Sequence, residues 1–306
     1  MAVRVGVIGV GYLGFHHARV YHELEEAELV GVADPDISRA EDVAGRFGCR
    51  AFREYADLLP QVDALSIVTP TLTHHDIGLD CIRAGRDILI EKPITSGLEE
   101  AEELISSARK AERILQVGHL ERFNPVVIAA EGMIERPRFF ESERLSPFLG
   151  RGTDVDVTLD LMIHDIDIIL SLCHGRVREL RATGASVLSD NIDVSKAWVE
   201  MDNGVSAVIT AGRLSPVKRR VLKIFQDTGY ILLDYQEMVV RHHYRGEDGS
   251  IRTETIRPEQ KEPLKEELRD FLRCVGDRST PRVSGEDGLE ALRVALEISK
   301  KIKEKL

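Results

Sequence analysis

Residues 1–34 read MAVRVGVIGVGYLGFHHARVYHELEEAELVGVAD, and the fold is decided there. Val3, Val5, Val7 and Ile8 form a β-branched run with the character of a buried parallel strand. The run ends in Gly9-Val10-Gly11-Tyr12-Leu13-Gly14, and a helical segment begins at once, marked by Phe15, Ala18, Val20, Tyr21 and Leu24. A second apolar strand, Leu29 to Ala33, ends on Asp34. Strand, glycine turn, helix, strand and acid stand in the order that dinucleotide binding requires. Gly9 permits the tight turn, Gly11 keeps side chains away from a pyrophosphate, and Gly14 lets the helix lie close on the strand. The helix N-terminus then offers free N–H groups and its dipole to the phosphate charge. Tyr12 and Leu13 lie in the same loop and join the cofactor candidates. Asp34 is placed to accept hydrogen bonds from the adenosine ribose and would repel a 2′-phosphate, which favours NAD. Arg39 is close enough to keep NADP possible.

The chain has 306 residues, enough for two domains with full cores. With 43% hydrophobic and 30% charged residues it has the composition of an ordinary globular protein. A formal net charge of −11 argues against a general nucleic-acid binder, because phosphate affinity needs clustered cations. No leader pattern and no membrane-length apolar run is visible. Cys49, Cys81, Cys173 and Cys274 are scattered without a CxxC pair, so neither disulfides nor a metal site is expected. The expected compartment is the cytoplasm.

Beyond Asp34 the apolar spacing predicts helix 38–47, a short amphipathic piece at 55–59, strand 64–68, helix 76–84, strand 87–90, helix 98–111 and strand 114–117. This βα alternation predicts a doubly wound parallel sheet of the Rossmann type. In such a sheet ligands bind beyond the carboxyl ends of the strands. Thr69-Pro70 and Glu91-Lys92-Pro93 follow strands and so join the glycine loop at that edge. The pattern changes near Gly118, which divides the chain into a dinucleotide-binding domain, 1–118, and a second domain, 119–306. In the second, helices at 124–135 and 158–173 accompany strands at 139–145, 177–182, 194–200, 205–211, 221–225, 230–234 and 237–241. Asn203-Gly204 is a hairpin turn. Successive strands without intervening helices predict an α+β domain with an open, largely antiparallel sheet. Helices 261–275 and 285–306 close the chain.

Helix 158–173 is apolar nearly all round except for Asp160, His164 and Asp167, which its spacing puts on one face. Buried charge is costly unless paired, so such a stripe fits a cleft lining; a surface helix wetting the same stripe is the alternative. Lys92 is either a solvated lysine at a strand end or a group at the ligand edge, where the nicotinamide would lie. His16, His17, His75, His242 and His243 are expected at the surface or in packing roles.

Glu91-Lys92-Pro93 after a Rossmann strand, with Asp160-x-x-x-His164-x-x-Asp167 in a second domain, resembles the glucose-fructose oxidoreductase/inositol 2-dehydrogenase (Gfo/Idh/MocA) family. The resemblance runs the length of the chain and includes the glycine loop, Thr69-Pro70 with His74, and Val117-Gly118-His119. It implies an NAD(P)-dependent dehydrogenase of sugar or cyclitol hydroxyls that forms homodimers or homotetramers. By position it implies Lys92 and His164 as catalytic groups near the nicotinamide and the reacting hydroxyl, with Asp160 orienting substrate or imidazole. It also implies His74 and Glu91 near the cofactor, and Asp167 as the last residue of the motif. The motif's glycine is Met162 here, and Thr153 to Val157 replace the glycines that often precede it.

On that reading His164 suits a base at neutral pH, with an unperturbed pKa near ~6.5. An ammonium at Lys92 would stabilise the developing alkoxide. Which of the two accepts the proton stays open. Gly118 to Pro125, Met162 to Asp167 and Leu214 to Lys218 resemble the branch that oxidises the 3-hydroxyl of UDP-N-acetylglucosamine, whose keto sugar is aminated for lipid A. A diphosphate needs cations, and Arg122, Arg144, Arg151, Lys218 and Arg219 are available. A free sugar, an inositol or a sugar phosphate is the alternative substrate. A non-catalytic NAD(P)-binding regulator is the alternative class, against which the presence of both Lys92 and His164 argues.

Overall fold

The computed structural model describes residues 2–148 and 155–306, so Arg151, Thr153 and Asp154 lie outside the described residues. The chain folds into two compact units. The first comprises Met1–Leu120 with Glu262–Leu289, the second Glu121–Lys261 with Glu290–Leu306. The contiguous division at residue 118 therefore gives way to one in which the chain returns to its first unit near the end.

The first unit is a six-stranded parallel sheet. Its elements are β1 (Val3–Ile8), α1 (Tyr12–Glu23), β2 (Ala27–Ala33), α2 (Ile37–Phe47), β3 (Arg50–Phe52), β4 (Ala64–Ile67), α3 (His74–Arg83), β5 (Asp87–Glu91), α4 (Leu98–Lys110) and β6 (Leu115–Gly118). The strand order is β3-β2-β1-β4-β5-β6, the doubly wound arrangement expected. Strand ends are tied across the sheet: Gly9 N–H donates to the Ala33 carbonyl, and Asp34 N–H to that of Phe52. A late helix, Pro263–Asp277, returns to this unit because its apolar stripe needs a core. Leu268, Phe271 and Leu272, spaced three and four apart, are buried with Val5, Val20 and Tyr21.

The second unit contains α5 (Pro125–Glu131), β7 (Pro137–Leu145), a π-helical turn (Thr158–Met162) running into α6 (Ile163–Cys173), β8 (Val177–Ala185), β9 (Val194–Met201), β10 (Ser206–Gly212), β11 (Arg219–Gln226), β12 (Gly229–Asp234), β13 (Val239–Arg245) and β14 (Ile251–Ile256). The eight strands run β14-β13-β12-β11-β7-β10-β9-β8. All neighbours are antiparallel except β7 and β10. One face buries alternate residues such as Ala197, Val199, Ile209 and Ile224 with Ile166 and Ile169 of α6. The returning helix Pro263–Asp277 is α7, and α8 (Gly285–Lys303) ends the fold. Among the described residues no helix is long and apolar enough to cross a membrane.

The glycine turn has little slack. Gly9 has φ +84°, and a Cβ on Gly14 would stand 1.9 Å from the Gly9 carbonyl oxygen. A Cβ on Gly11 meets nothing within 4 Å. Gly14→Ala must therefore push α1 off β1 and cost at least ~2–3 kcal/mol. Gly11→Ala, by contrast, should unfold within about 0.5–1 kcal/mol of the unsubstituted chain, being open and at a helix terminus. Urea denaturation of the two variants checks the contrast; equal destabilisation would refute it.

Candidate active site

A cavity of about 700 Å³ opens at the carboxyl edge of the parallel sheet. That is ample for a dinucleotide-sized ligand. Gly9, Gly11, Tyr12, Leu13, Asp34, Arg39, Thr69, Pro70, Glu91 and Lys92 all line it, so the structure brings together ten of the twelve cofactor candidates. Gly14 is absent from the lining because its place is against the Gly9 carbonyl. At the N-terminus of α1, Gly11 caps without a side chain and the first turn holds no acid, which leaves N–H groups and dipole for an anion. A side chain at Gly11 would enter the open space that a pyrophosphate needs.

Asp34 is buried, and its two oxygens accept the N–H groups of Val10 and Asp36, each at 2.9 Å. Those bonds aim the carboxylate while leaving acceptor capacity for ribose hydroxyls. Arg39 lies 3.4 Å from Asp34 and 3.3 Å from Asp36, so its charge is shared between two carboxylates. The residues present thus fit NAD.

His74 stands directly behind the cavity wall, against the carbonyl of lining residue Thr69. It is buried, with Nδ1 3.0 Å from the Pro93 carbonyl oxygen and Nε2 2.9 Å from that of Thr69. It is missing from the cavity lining. It clamps the two strand-end turns together, and burial lowers its pKa against the pull of the two carbonyls. Glu91 lines the cavity and is held by His17, Nε2 to Oε1 at 3.1 Å, while its Oε2 accepts the Lys92 N–H at 3.1 Å. Burial works to raise the Glu91 pKa, but the bond and charge of His17, with the Lys92 charge, outweigh it and bring the value below the ordinary one. The carboxylate role of His17 went unread because a histidine on a helix announces no partner 74 positions away.

The lining also includes Arg53, Glu54 and Tyr55, which sequence reasoning missed. They follow β3, whose three residues are too few to show an alternation. The Tyr55 hydroxyl donates to Asp80 at 2.9 Å; burial, then that carboxylate, pushes its pKa up to about 12.

In the second unit, Asp160 lies on the π-helical turn and His164 in the first turn of α6, both partly exposed. π-Helical turns are rare and concentrate at functional sites. Asp167 is buried and forms an ion pair with buried Arg122 at 3.9 Å, so these two substrate candidates face each other. Asp165, between His164 and Ile166, is a polar residue the sequence reading passed over. It takes Arg144 of β7 in a bidentate grip, both bonds 2.9 Å. Arg144 also donates to Glu121 at 2.9 Å and lies over the Tyr235 ring. Burial opposes its charge, yet Asp165 and Glu121 prevail and move its pKa up. Arg219 pairs with Glu143 at 2.7 Å.

Of the cations offered for a diphosphate, Arg122, Arg144 and Arg219 are thus committed to carboxylates, and Arg151 is not described. Lys218 differs, as does Arg220, which was not singled out. Arg220 comes no nearer than 3.7 Å to Glu121, whose same oxygen Arg144 already holds. Burial and the Arg144 charge lower the Arg220 pKa against Glu121, Asp165 and Asp160. The Arg220 charge, then burial, lowers that of Lys218. Arg220 thus has a long, shared contact with Glu121 rather than a close pair, and Lys218 is exposed.

For the cofactor end, Asp34→Asn should raise the Kd for NADH about 10-fold or more, the scale of a lost charge-assisted hydrogen bond. NADPH should bind no worse, since its 2′-phosphate no longer meets a carboxylate. Fluorescence titration with both nucleotides checks this, and parallel losses would overturn it.

Residues 3–119 match the oxidoreductase family with an NAD-binding Rossmann fold, and residues 127–232 match the GFO/IDH/MocA C-terminal domain. The chain is 36% identical over 302 residues to UDP-N-acetylglucosamine 3-dehydrogenase of Acidithiobacillus ferrooxidans, covering 97% of this chain and 96% of that protein. A solved structure of the Acidithiobacillus ferrooxidans enzyme superposes with a TM-score of 0.95 at 35% identity, covering 99% of both chains. Scyllo-inositol 2-dehydrogenase (NAD(+)) of Bacillus subtilis is 29% identical over 321 residues, 96% of this chain and 92% of that one. The chain belongs to the Gfo/Idh/MocA family and is an NAD-dependent oxidoreductase acting on CH–OH groups.

Proposed function

We propose that this enzyme oxidises the 3-hydroxyl of UDP-N-acetylglucosamine to the 3-keto sugar. The observation that carries the reading is Arg220, which comes no nearer than 3.7 Å to Glu121, whose same oxygen Arg144 already takes, on the same unit as Asp160 and His164. A neutral cyclitol has no charge to offer such a cation, whereas a sugar diphosphate supplies charge and acceptors. The similarity to a UDP-N-acetylglucosamine 3-dehydrogenase supports the same substrate. The similarity to scyllo-inositol 2-dehydrogenase supports the second reading, a free cyclitol.

When bound, NAD supplies the hydride acceptor at its nicotinamide. The chain's own groups handle the proton and the charge. Lys92, as ammonium, stabilises the oxygen that loses its proton, and His164 is the candidate acceptor of that proton. Asp160, one turn before His164, orients the substrate hydroxyl or the imidazole.

Absorbance of reduced nicotinamide, with a carbonyl trap to draw off the keto product, tests the reading. Turnover is expected on UDP-N-acetylglucosamine, falling about 100-fold or more in Lys92→Ala and His164→Ala. Lys218→Ala and Arg220→Ala should each raise KM for the UDP sugar about 10-fold, the cost of one charge-assisted contact. Turnover on inositol alone would overturn the substrate and leave the chemistry.

A homodimer or homotetramer is also proposed. The outer face of the second sheet carries an aromatic row: Trp198, Phe139, Phe225, Tyr230 and His243, with successive ring centroids 4.4 to 5.9 Å apart. Trp198 is 39% exposed, and a continuous apolar patch of this kind favours a self-complementary partner. Light scattering should give at least twice the mass of one chain, and Trp198→Glu should halve it. A monomer in the unsubstituted protein would end the proposal.

A further inference from the structure

We infer that His17 is a positioning residue for Lys92, acting through Glu91; this rests on the reading of Lys92 as a catalytic group. His17 is 1% exposed and sits on α1, one turn past the cofactor loop. Its Nε2 donates to Glu91 Oε1 at 3.1 Å, and Nδ1 has no hydrogen-bond partner among the described residues. Glu91 is the last residue of β5, and its second oxygen accepts the backbone N–H of Lys92 at 3.1 Å. The carboxylate thus links an imidazole on α1 to the backbone of the lysine.

The other side of the carboxylate is closed by Gly118, its register partner on β6. A Cβ there would stand 3.0 Å from the Glu91 carboxyl carbon and 3.1 Å from each oxygen. The absent Cβ at Gly118 leaves the space this carboxylate occupies, and His17 is its side-chain donor there. A mostly buried carboxylate that loses such a donor has its desolvation cost uncompensated and swings toward water. The Lys92 N–H would lose its acceptor with it. Displacements of about 1 Å in a reacting group cost on the order of 100-fold in rate.

The arrangement predicts a split between chemistry and cofactor binding, because Asp34 and the glycine turn are fixed by bonds of their own: Val10 N–H and Asp36 N–H to Asp34, Gly9 N–H to the Ala33 carbonyl. His17→Leu keeps bulk without a donor; His17→Gln keeps an N–H at the position of Nε2. In His17→Leu, kcat should fall about 10- to 100-fold while the Kd for NADH stays within two-fold. His17→Gln should return kcat to within about three-fold of the unsubstituted enzyme. Gly118→Ala, which presses on Glu91 from the other side, should reproduce the kcat loss. A readout free of turnover is the ¹³C signal of reductively methylated Lys92, assigned by its disappearance in Lys92→Ala. That signal should shift in His17→Leu and return in His17→Gln.

Unchanged kcat and an unmoved Lys92 signal in His17→Leu would overturn the inference. So would a loss of kcat and NADH affinity in step, or a His17→Gln variant no better than leucine. Full turnover in Lys92→Ala would instead defeat the catalytic reading of the lysine, whatever His17 does to its signal.

Discussion

The approach of Gly14 to the Gly9 carbonyl fixes α1 against β1, and much of the first unit depends on it. A helix that cannot move aims its N-terminal N–H groups at one place, and Gly11 keeps that place open. The same rigid helix delivers His17 to Glu91 and Tyr21 to Ser66, whose hydroxyls lie 2.8 Å apart in the core. On its far flank α7 returns to cover it, with Leu268, Phe271 and Leu272 in the shared core. One approach of backbone to backbone therefore sets a phosphate site, a buried carboxylate and the packing of a late helix. Binding geometry and stability are coupled here because both are functions of where α1 lies.

The second unit is organised by a different constraint, the cost of burying charge. Arg144 is among the largest fully buried side chains, and such a cation survives only with its donors satisfied. Asp165 takes two of its bonds and Glu121 a third. Breaking that set by removing one partner strands a charge, which is why α6, β7 and the segment carrying Glu121 are held in one arrangement. The consequence reaches Arg220. Glu121, having been given to Arg144, is left 3.7 Å away and neutralises it poorly. The structural ion pair thus leaves Arg220 with a long, shared contact rather than a close partner of its own.

The fold was legible in residues 1–34 because each part of the dinucleotide motif is a local rule: β-branched run, turn glycines, helix and terminal acid. The alternation that followed was legible for the same reason, apart from β3, too short to have a period. The antiparallel sheet showed through its hairpin at Asn203-Gly204, where Gly204 has φ +85°, yet β14 went unseen. Its sequence, Ile251 to Ile256, is polar and largely exposed, an edge strand held by pairing with β13 rather than by an apolar face. The return of α7 was missed because an amphipathic stripe says that a helix must be covered and not by what.

The candidate site divides along the same line. Residues whose role follows from their own neighbourhood in sequence, such as Gly11, Asp34 and Thr69, came to the cavity as expected. Residues whose role depends on a distant partner did not announce it. His74 reads as a ligand-edge histidine, but two backbone carbonyls, of Thr69 and Pro93, have claimed both its nitrogens. Arg144 reads as an available cation until Asp165 and Glu121 are seen to hold it. Long-range pairing is what converts a titratable side chain from a surface charge into a fixed part of the machinery, and pairing is a property of the fold. Composition and spacing can therefore nominate charged residues for chemistry, and only the three-dimensional arrangement of donors and acceptors says which of them still have charge to offer a substrate.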